Sequence, residues 1–270
     1  MLSRIALLAL ATCFAVAADA QIPARPADAI AYTPRYPLWS DGMAKRRWLL
    51  LPQGTAIDKS NPDAWDFPRG TRAWKEFRRD GTPVETRLIE RLADGSWRFM
   101  TYAWNDAGTE ATLAPEEGIP ERGIPSRADC LACHEGAPVP ILGYSAVQLS
   151  TELPAALGYL HGNCGHCHND DALPALDLSL LQRSTDPKAS AARTYASLVG
   201  RSSRFRLQGA AAPQRVVPGH PEKSVLVSRM KSRDRLRMPP LGVSIVDAEG
   251  VALVSRWIEQ ELQKPPMEAP

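Results

Sequence analysis

Apolar and polar residues follow two different patterns along the chain, and the change falls near residue 125. Over residues 46–113, short apolar runs rich in aromatic and branched residues are separated by turn signals. Asp80-Gly81 and Asp94-Gly95 each stand between two such runs, which is typical of a tight hairpin. We therefore expect an antiparallel meander here, within a small sandwich or barrel.

After about residue 125 the apolar positions recur at helical intervals. Residues 145–160 and 191–199 predict two helices, and Pro154 should kink or restart the first of them. A third stripe predicts a terminal amphipathic helix with Asp247 as its N-cap. The members of this stripe are Val251, Leu253, Val254, Trp257, Ile258 and Leu262.

These patterns together predict an α+β multidomain fold. A β-rich domain, an antiparallel sandwich or barrel, would occupy residues 21–124, and an all-α domain would occupy residues 125–270. Residues 1–20 read as a signal peptide, because Arg4 precedes an apolar stretch too short to span a bilayer and Ala18-Asp-Ala20 resembles a cleavage site. Thr12 makes a weak lipobox before Cys13, so we expect a periplasmic or secreted mature chain without a membrane span.

Composition narrows the choice of partner. A formal net charge of +2 over 270 residues gives no indication of a nucleic-acid partner. The β-rich part has no histidine, the usual nitrogen ligand of zinc or copper. It does have a set of tryptophans that we expect to serve packing. They are Trp39, Trp48, Trp65, Trp74, Trp97 and Trp104.

Two pentapeptides contain every cysteine except Cys13. They are Cys130-Leu-Ala-Cys133-His134 and Cys164-Gly-His-Cys167-His168. The C-x-x-C-H spacing suits covalent c-type haem: two thiols add to the vinyl groups, and the adjoining imidazole faces the iron. We therefore predict two haems c, with His134 and His168 as proximal ligands. A four-cysteine zinc site is the alternative, and the histidine after each pair favours haem.

For the second pentapeptide, the sequence predicts a distal ligand of the iron. Met238 stands in Arg237-Met-Pro-Pro-Leu-Gly242, where two prolines stiffen the loop, and methionine is a common distal ligand of haem c. The first pentapeptide has none nearby. His161, His166 and His220 are the remaining candidates; we rank His161 first, and an open or water-bound iron is the alternative.

Residues 147–264 resemble a class I cytochrome c domain. The resemblance is carried by Cys164-Gly-His-Cys-His168, Val217-Pro-Gly-His-Pro-Glu-Lys-Ser-Val-Leu226, Met238-Pro-Pro-Leu-Gly242 and Trp257-Ile258. It implies a cytochrome c-like all-α domain in which His168 and Met238 bind one iron.

The mature chain as a whole resembles a family of secreted bacterial dihaem c-type cytochromes with an N-terminal β-domain. The matching segments are 36–41, 65–71, Lys75-Glu-Phe77, Glu85-Thr-Arg87, 126–134, Leu142-Gly143 and 159–164. This likeness implies electron transfer with a periplasmic redox protein or a dehydrogenase. A dihaem oxidoreductase or peroxidase-like enzyme, with the first haem as an open catalytic site, is the alternative. The sequence does not indicate an oligomeric state.

Overall fold

A computed structural model of the chain describes residues 21–207 and 212–262. The predicted signal peptide and Cys13 lie outside this part. Within it, no helix combines the length and the apolar character needed to cross a bilayer.

Six antiparallel strands form one sheet in the order of the sequence. They are β1 (Ile30–Ala31), β2 (Ala44–Leu50), β3 (Arg72–Arg79), β4 (Thr82–Arg91), β5 (Trp97–Trp104) and β6 (Ala111–Leu113). The two-residue turn between β3 and β4 has positive φ at both Asp80 (48°) and Gly81 (83°), as a right-twisted hairpin requires. The predicted meander and its Asp80-Gly81 hairpin are therefore confirmed.

The predicted sandwich or barrel is wrong. The described residues form a single open sheet whose edge strands, β1 and β6, have two and three residues and do not pair with each other. In this part of the chain no second sheet stacks on it. Instead, residues after position 125 cover one face: Val139 and Ile141 pack with Leu49, Phe67 and Ala73 in one buried cluster. Because a later part of the chain buries this face, the sheet needs neither closure nor a partner sheet.

Six α-helices follow the sheet in the described residues. They are α1 (Arg127–His134), α2 (Ala146–Leu149), α3 (Ala155–Leu160), α4 (Pro187–Leu198), α5 (Val225–Lys231) and α6 (Ala248–Arg256). Pro154 restarts the chain between α2 and α3, and the Asp247 side chain accepts a hydrogen bond from the Gly250 amide at the start of α6. Both details confirm the sequence prediction.

The expected all-α, cytochrome c-like domain is also wrong. Among the residues that the structure describes, the longest α-helix has 12 residues, and extended connections run between the helices. Two segments of the connection between α4 and α5 pair with each other through isolated bridges, Val199 with Val216 and Ser202 with Gln214. Residues that break or cap helices interrupt the helical periodicity here, so it never extends into a bundle. What results is a set of short helices around one apolar cluster that includes Leu157, Leu198 and Trp257.

A segment before β2 ties the sheet to the helices. The Trp39 amide donates a 2.7 Å hydrogen bond to Asn163 Oδ1, and the Gln148 side chain bonds both the amide and the carbonyl of Tyr36. These contacts cross more than a hundred residues of sequence. They hold residues 36–39 against α2 and the turn after α3.

Candidate functional site

Both pentapeptides face one cavity. Its volume is about 330 Å³, and its walls come from the sheet, α1, the turn after α3, α5 and the loop that follows α5. Seven of the residues predicted from sequence line it: Cys130, Cys133, His134, Cys164, Cys167, His168 and Met238. Their four cysteines form no disulfide. The tertiary structure thus brings together two motifs that lie 34 residues apart.

Helix α1 presents the first pentapeptide. Ser126 caps it: its side chain accepts a bond from the Asp129 amide, and the Asp129 side chain accepts one from the Ser126 amide. Within the helix, Cys133 and His134 lie three and four residues after Cys130, so all three side chains share one face. The helix therefore turns both thiols and the imidazole towards the cavity.

The His134 ring is held in one orientation. Its Nδ1 lies 2.5 Å from the Pro140 carbonyl oxygen, so Nδ1 carries the proton and Nε2 keeps a free lone pair. The ring packs on Phe99 of β5, with 5.1 Å between the ring centroids. Desolvation lowers the pKa of His134 to about 3. The imidazole is neutral at physiological pH, which is the form that binds a metal.

The second pentapeptide begins in a different local structure. Helix α3 continues as a π-helical turn over His161–Gly165, and such turns occur frequently at functional sites. The His168 amide donates a 2.8 Å hydrogen bond to the Cys164 carbonyl. His168 Nδ1 is buried and has no partner among the described residues. Desolvation lowers the pKa of His168 to about 4, so this imidazole is also neutral.

Met238 is placed by the backbone of α5. Its amide donates a 3.0 Å hydrogen bond to the Arg229 carbonyl, and the residues after it, Pro239 to Gly242, continue along the cavity wall. The other methionine of this region, Met230 of α5, is 5% exposed, belongs to the core cluster of the helices and also lines the cavity.

The two pentapeptides also touch each other. Ligand atoms of Cys133, His166 and Cys167 all lie within 4.8 Å of one another. A hydrogen bond from the Cys133 thiol to Cys167 raises the pKa of Cys133 to about 12 and lowers that of Cys167. The sequence could not reveal this cluster, because each motif supplies only part of it.

The structure does not bring His161 or His220 to the cavity. His161 lines a separate cavity of about 70 Å³, and its Nδ1 accepts a 3.1 Å hydrogen bond from the Gln182 amide. His220 is exposed beside Glu222, with 3.1 Å between Nδ1 and the carboxylate. Of the three histidines considered for the first haem, only His166 lines the large cavity.

Other cavity residues were not singled out from the sequence as site residues. Trp39 lines the wall, although the tryptophans were expected to serve packing, as Trp74 does with 2% exposure. Lys75 of β3 and Arg87 of β4 line it as well. Both stand in short segments on which the family resemblance rests, Lys75-Glu-Phe77 and Glu85-Thr-Arg87, and that was the available signal.

The residues around the cavity fit a c-type haem. Four free thiols and two neutral imidazoles supply attachment and ligation. Two buried donors of cavity-lining residues, Trp39 Nε1 and Arg229 Nε, have no acceptor among the described residues. Haem carries two carboxylates, which are acceptors of the required kind.

Comparison of the chain with models of protein families, with curated proteins and with solved structures gave no match. The function of the chain is therefore inferred from the geometry and chemistry of the cavity.

Proposed function

We propose that this protein is a periplasmic c-type cytochrome with two covalently bound haems that transfers electrons between redox partners. Bound haem supplies the one-electron chemistry. The observation that supports the proposal best is the meeting of both C-x-x-C-H segments and Met238 at one cavity.

Each motif has a defined part in this proposal. Cys130 and Cys133 would hold the first haem, with His134 as its ligand. The Pro140 carbonyl fixes the tautomer of His134, and a bond of this kind also makes the imidazole a stronger ligand. The apolar wall formed by Leu176, Leu178, Leu180, Leu198 and Val225 would exclude water and so influence the reduction potential.

Cys164 and Cys167 would hold the second haem between His168 and Met238. Because Cys133 and Cys167 lie in contact, the two haems would be attached next to each other. Adjacent attachment favours exchange of electrons between them, as a carrier with two haems requires.

A dihaem oxidoreductase is the second candidate function. The observation in its favour is that His161 and His220 lie away from the cavity, so neither is placed to be a second axial ligand of the first haem. His166 is the one candidate histidine at the cavity, and its ligand atom lies within 4.8 Å of the thiols of Cys133 and Cys167. An iron with an open position would bind carbon monoxide or cyanide. An oxidised spectrum without a high-spin component, together with no binding of either ligand, would speak against the enzyme.

Haem content tests the proposal. Expressed in a host that matures c-type cytochromes, the full chain should contain two haems by the pyridine haemochrome assay. Replacing Cys130 and Cys133 by Ala should remove one haem, and replacing Cys164 and Cys167 by Ala should remove the other. Met43→Leu, directly before β2 and outside the cavities that Cys130 and His134 line, is the control and should keep both.

A metal ion, instead of haem, is the competing occupant of this site. The cluster of Cys133, His166 and Cys167 offers three ligands of the kind that zinc accepts. A colourless chain that contains stoichiometric zinc, lost in a Cys133→Ala variant and kept in a Cys164→Ala variant, would refute the haem proposal.

A further inference from the structure

The loop between α5 and Met238 is strongly basic. Residues 229–237 contain five basic side chains and one acidic side chain, Asp234, whereas the whole chain has a formal net charge of only +2 over 270 residues. The loop is compact, because the Met238 amide donates a hydrogen bond to the Arg229 carbonyl and the Arg237 amide donates one to the Asp234 carbonyl. Positive charge is therefore concentrated next to the proposed distal ligand of the second haem.

The fold adds a second basic segment to this loop. Residues 201–206 contain three arginines and no acidic residue. The Arg229 guanidinium lies over the Phe205 ring, with 4.6 Å between Cζ and the ring centroid, so the two segments lie side by side. Arg204 lines the cavity together with Arg229 and Met238. Both segments therefore meet beside the part of the cavity wall that Met238 forms.

These cations have few carboxylate partners in the described part of the chain. Asp234 Oδ1 accepts hydrogen bonds from the Ser232 hydroxyl and the Leu236 amide. Among the described residues, Arg201 is the one arginine of the two segments that forms an ion pair, at 2.6 Å from Asp177. We call the remaining exposed cations, together with the half-buried Arg237, the basic surface. Its members are Arg204, Arg206, Lys231, Arg235 and Arg237.

Two large apolar side chains are exposed next to these charges. Leu236 lies within the basic loop and is 41% exposed. Ile245 is 58% exposed and lines a small crevice with Met238. The Asp41 carboxylate accepts hydrogen bonds from the amides of Ser244 and Ile245, which holds Ile245 in place. Apolar side chains with charged residues around them are typical of an interface between proteins.

The charge of the basic surface determines the kind of partner. Complementary charges speed the encounter of two proteins and fix their relative orientation, so a basic surface selects an acidic one. Four of its five members are arginines, whose guanidinium groups bind carboxylates through two parallel hydrogen bonds. The aspartate and glutamate side chains of a protein supply such carboxylates.

We propose that the basic surface, together with Leu236 and Ile245, is the docking surface for an acidic face of the protein that exchanges electrons with the second haem. This inference rests on the proposed function. Docking here brings the partner beside the Met238 loop, so the path of the electron is short. One electron passes in each encounter: the haem iron changes between its ferrous and ferric forms, and the redox centre of the partner changes by one electron in the opposite direction.

Neutralisation of two cations in the fully matured protein tests the inference. Lys231→Gln/Arg235→Gln removes two charges from the basic surface. Arg46→Gln/Arg79→Gln, at two exposed positions of the sheet outside the cavity lining, is the matched control that removes the same charge elsewhere. The probe is a small blue copper protein with an acidic face. Its affinity is measured by calorimetry with both proteins oxidised, and the rate at which it oxidises the reduced haem is measured by stopped flow.

Affinity and rate should both fall on the order of tenfold in Lys231→Gln/Arg235→Gln at an ionic strength of about 0.01 M. The difference from the unaltered chain should vanish at about 1 M, where the Debye length is about 3 Å. The reduction potentials should stay unchanged, and Arg46→Gln/Arg79→Gln should keep the affinity and rate of the unaltered chain. Leu236→Gln should lower the affinity without changing its dependence on salt, because it removes apolar contact and not charge.

The outcomes separate this inference from the proposed function. If two haems are present and both double variants lose affinity equally, or neither does, the inference is wrong and the proposed function stands. If Lys231→Gln/Arg235→Gln binds less to vesicles of anionic phospholipid but equally well to the copper protein, the basic surface serves a membrane and the docking assignment is overturned. If Cys164 and Cys167 carry no haem in the unaltered chain, the inference and the proposed function are both wrong.

Discussion

At the scale of single residues, environment gives five histidines different roles. His134 has its Nδ1 bound to a carbonyl and its ring at the cavity, whereas His161 uses Nδ1 as an acceptor from the Gln182 amide. His220 is exposed. The sequence offered His161 as an iron ligand because it stands close to the second pentapeptide. Proximity in sequence does not determine the direction of a side chain, and the turn after α3 places His161 at a different cavity.

Met238→Ala tests the distal ligand of the second haem. Loss of the thioether should abolish the weak sulfur-to-iron band at the red end of the oxidised spectrum and lower the potential of that haem. Met43→Leu, directly before β2 and outside the cavities that Cys130 and His134 line, should leave the band in place. Persistence of the band in Met238→Ala would show that another sulfur is the ligand.

The buried imidazole of His161 should make the protein sensitive to acid. Desolvation lowers the pKa of His161 from 6.5 to about 4. The folded state therefore favours the neutral form: the contribution of His161 to stability is complete above pH 6.5 and is lost as the pH falls through about 4. A shift of this size corresponds to roughly 3 kcal/mol.

Denaturation of the matured protein between pH 7 and pH 4 measures this effect. His161→Asn keeps an acceptor for the Gln182 amide but cannot be protonated in this range. Between pH 7 and pH 4, the free energy of unfolding of His161→Asn should fall less than that of the unaltered chain. The difference should approach roughly 3 kcal/mol. Identical pH profiles for the two proteins would contradict the prediction.

At the scale of elements, the second pentapeptide is positioned by a close contact. Helix α3 and the π-helical turn after it pack against the segment around Tyr36. A Cβ at Gly158 would lie 2.2 Å from the Tyr36 ring, and a Cβ at Gly162 would lie 2.2 Å from the Tyr36 carbonyl oxygen. The Tyr36 hydroxyl also accepts a 2.6 Å bond from the Leu153 amide. Helix and segment therefore approach each other as closely as glycine allows.

These two glycines should respond differently to removal of the Tyr36 ring. Gly158→Ala and Gly162→Ala should each lower stability by about 1–3 kcal/mol, because the added methyl overpacks the contact. In a Tyr36→Ala background the cost of Gly158→Ala should fall, since its clash is with the ring. The cost of Gly162→Ala should remain, since its clash is with backbone.

Thermal denaturation of the single and double variants measures this coupling. Equal costs of Gly158→Ala with and without the Tyr36 ring would contradict the contact.

At the scale of the whole molecule, the sheet and the helices share one cavity. Val139 and Ile141, which follow α1, complete the apolar cluster of the sheet, and Lys75 and Arg87 of the sheet line the cavity of the pentapeptides. The hydrophobic pattern indicated a boundary near residue 125. This boundary is a change of secondary structure, and buried contacts continue across it. This continuity is why the sheet remains open: its inner face is covered by the part of the chain that carries Cys130 and His134.

By itself, the sequence determined the features that depend on neighbours within a few residues. The Asp80-Gly81 hairpin, the restart of the helix at Pro154 and the Asp247 cap follow from local geometry, which the spacing of residues encodes.

Only the tertiary structure decided what covers the sheet, which side chains share a cavity and which charges remain without a partner. It replaced the expected sandwich and all-α domain by one open sheet with short helices, moved His161 away from the cavity and placed Lys75 beside His134. The physical reason is that burial and charge balance depend on contacts between distant segments, and the spacing of residues carries no record of those contacts.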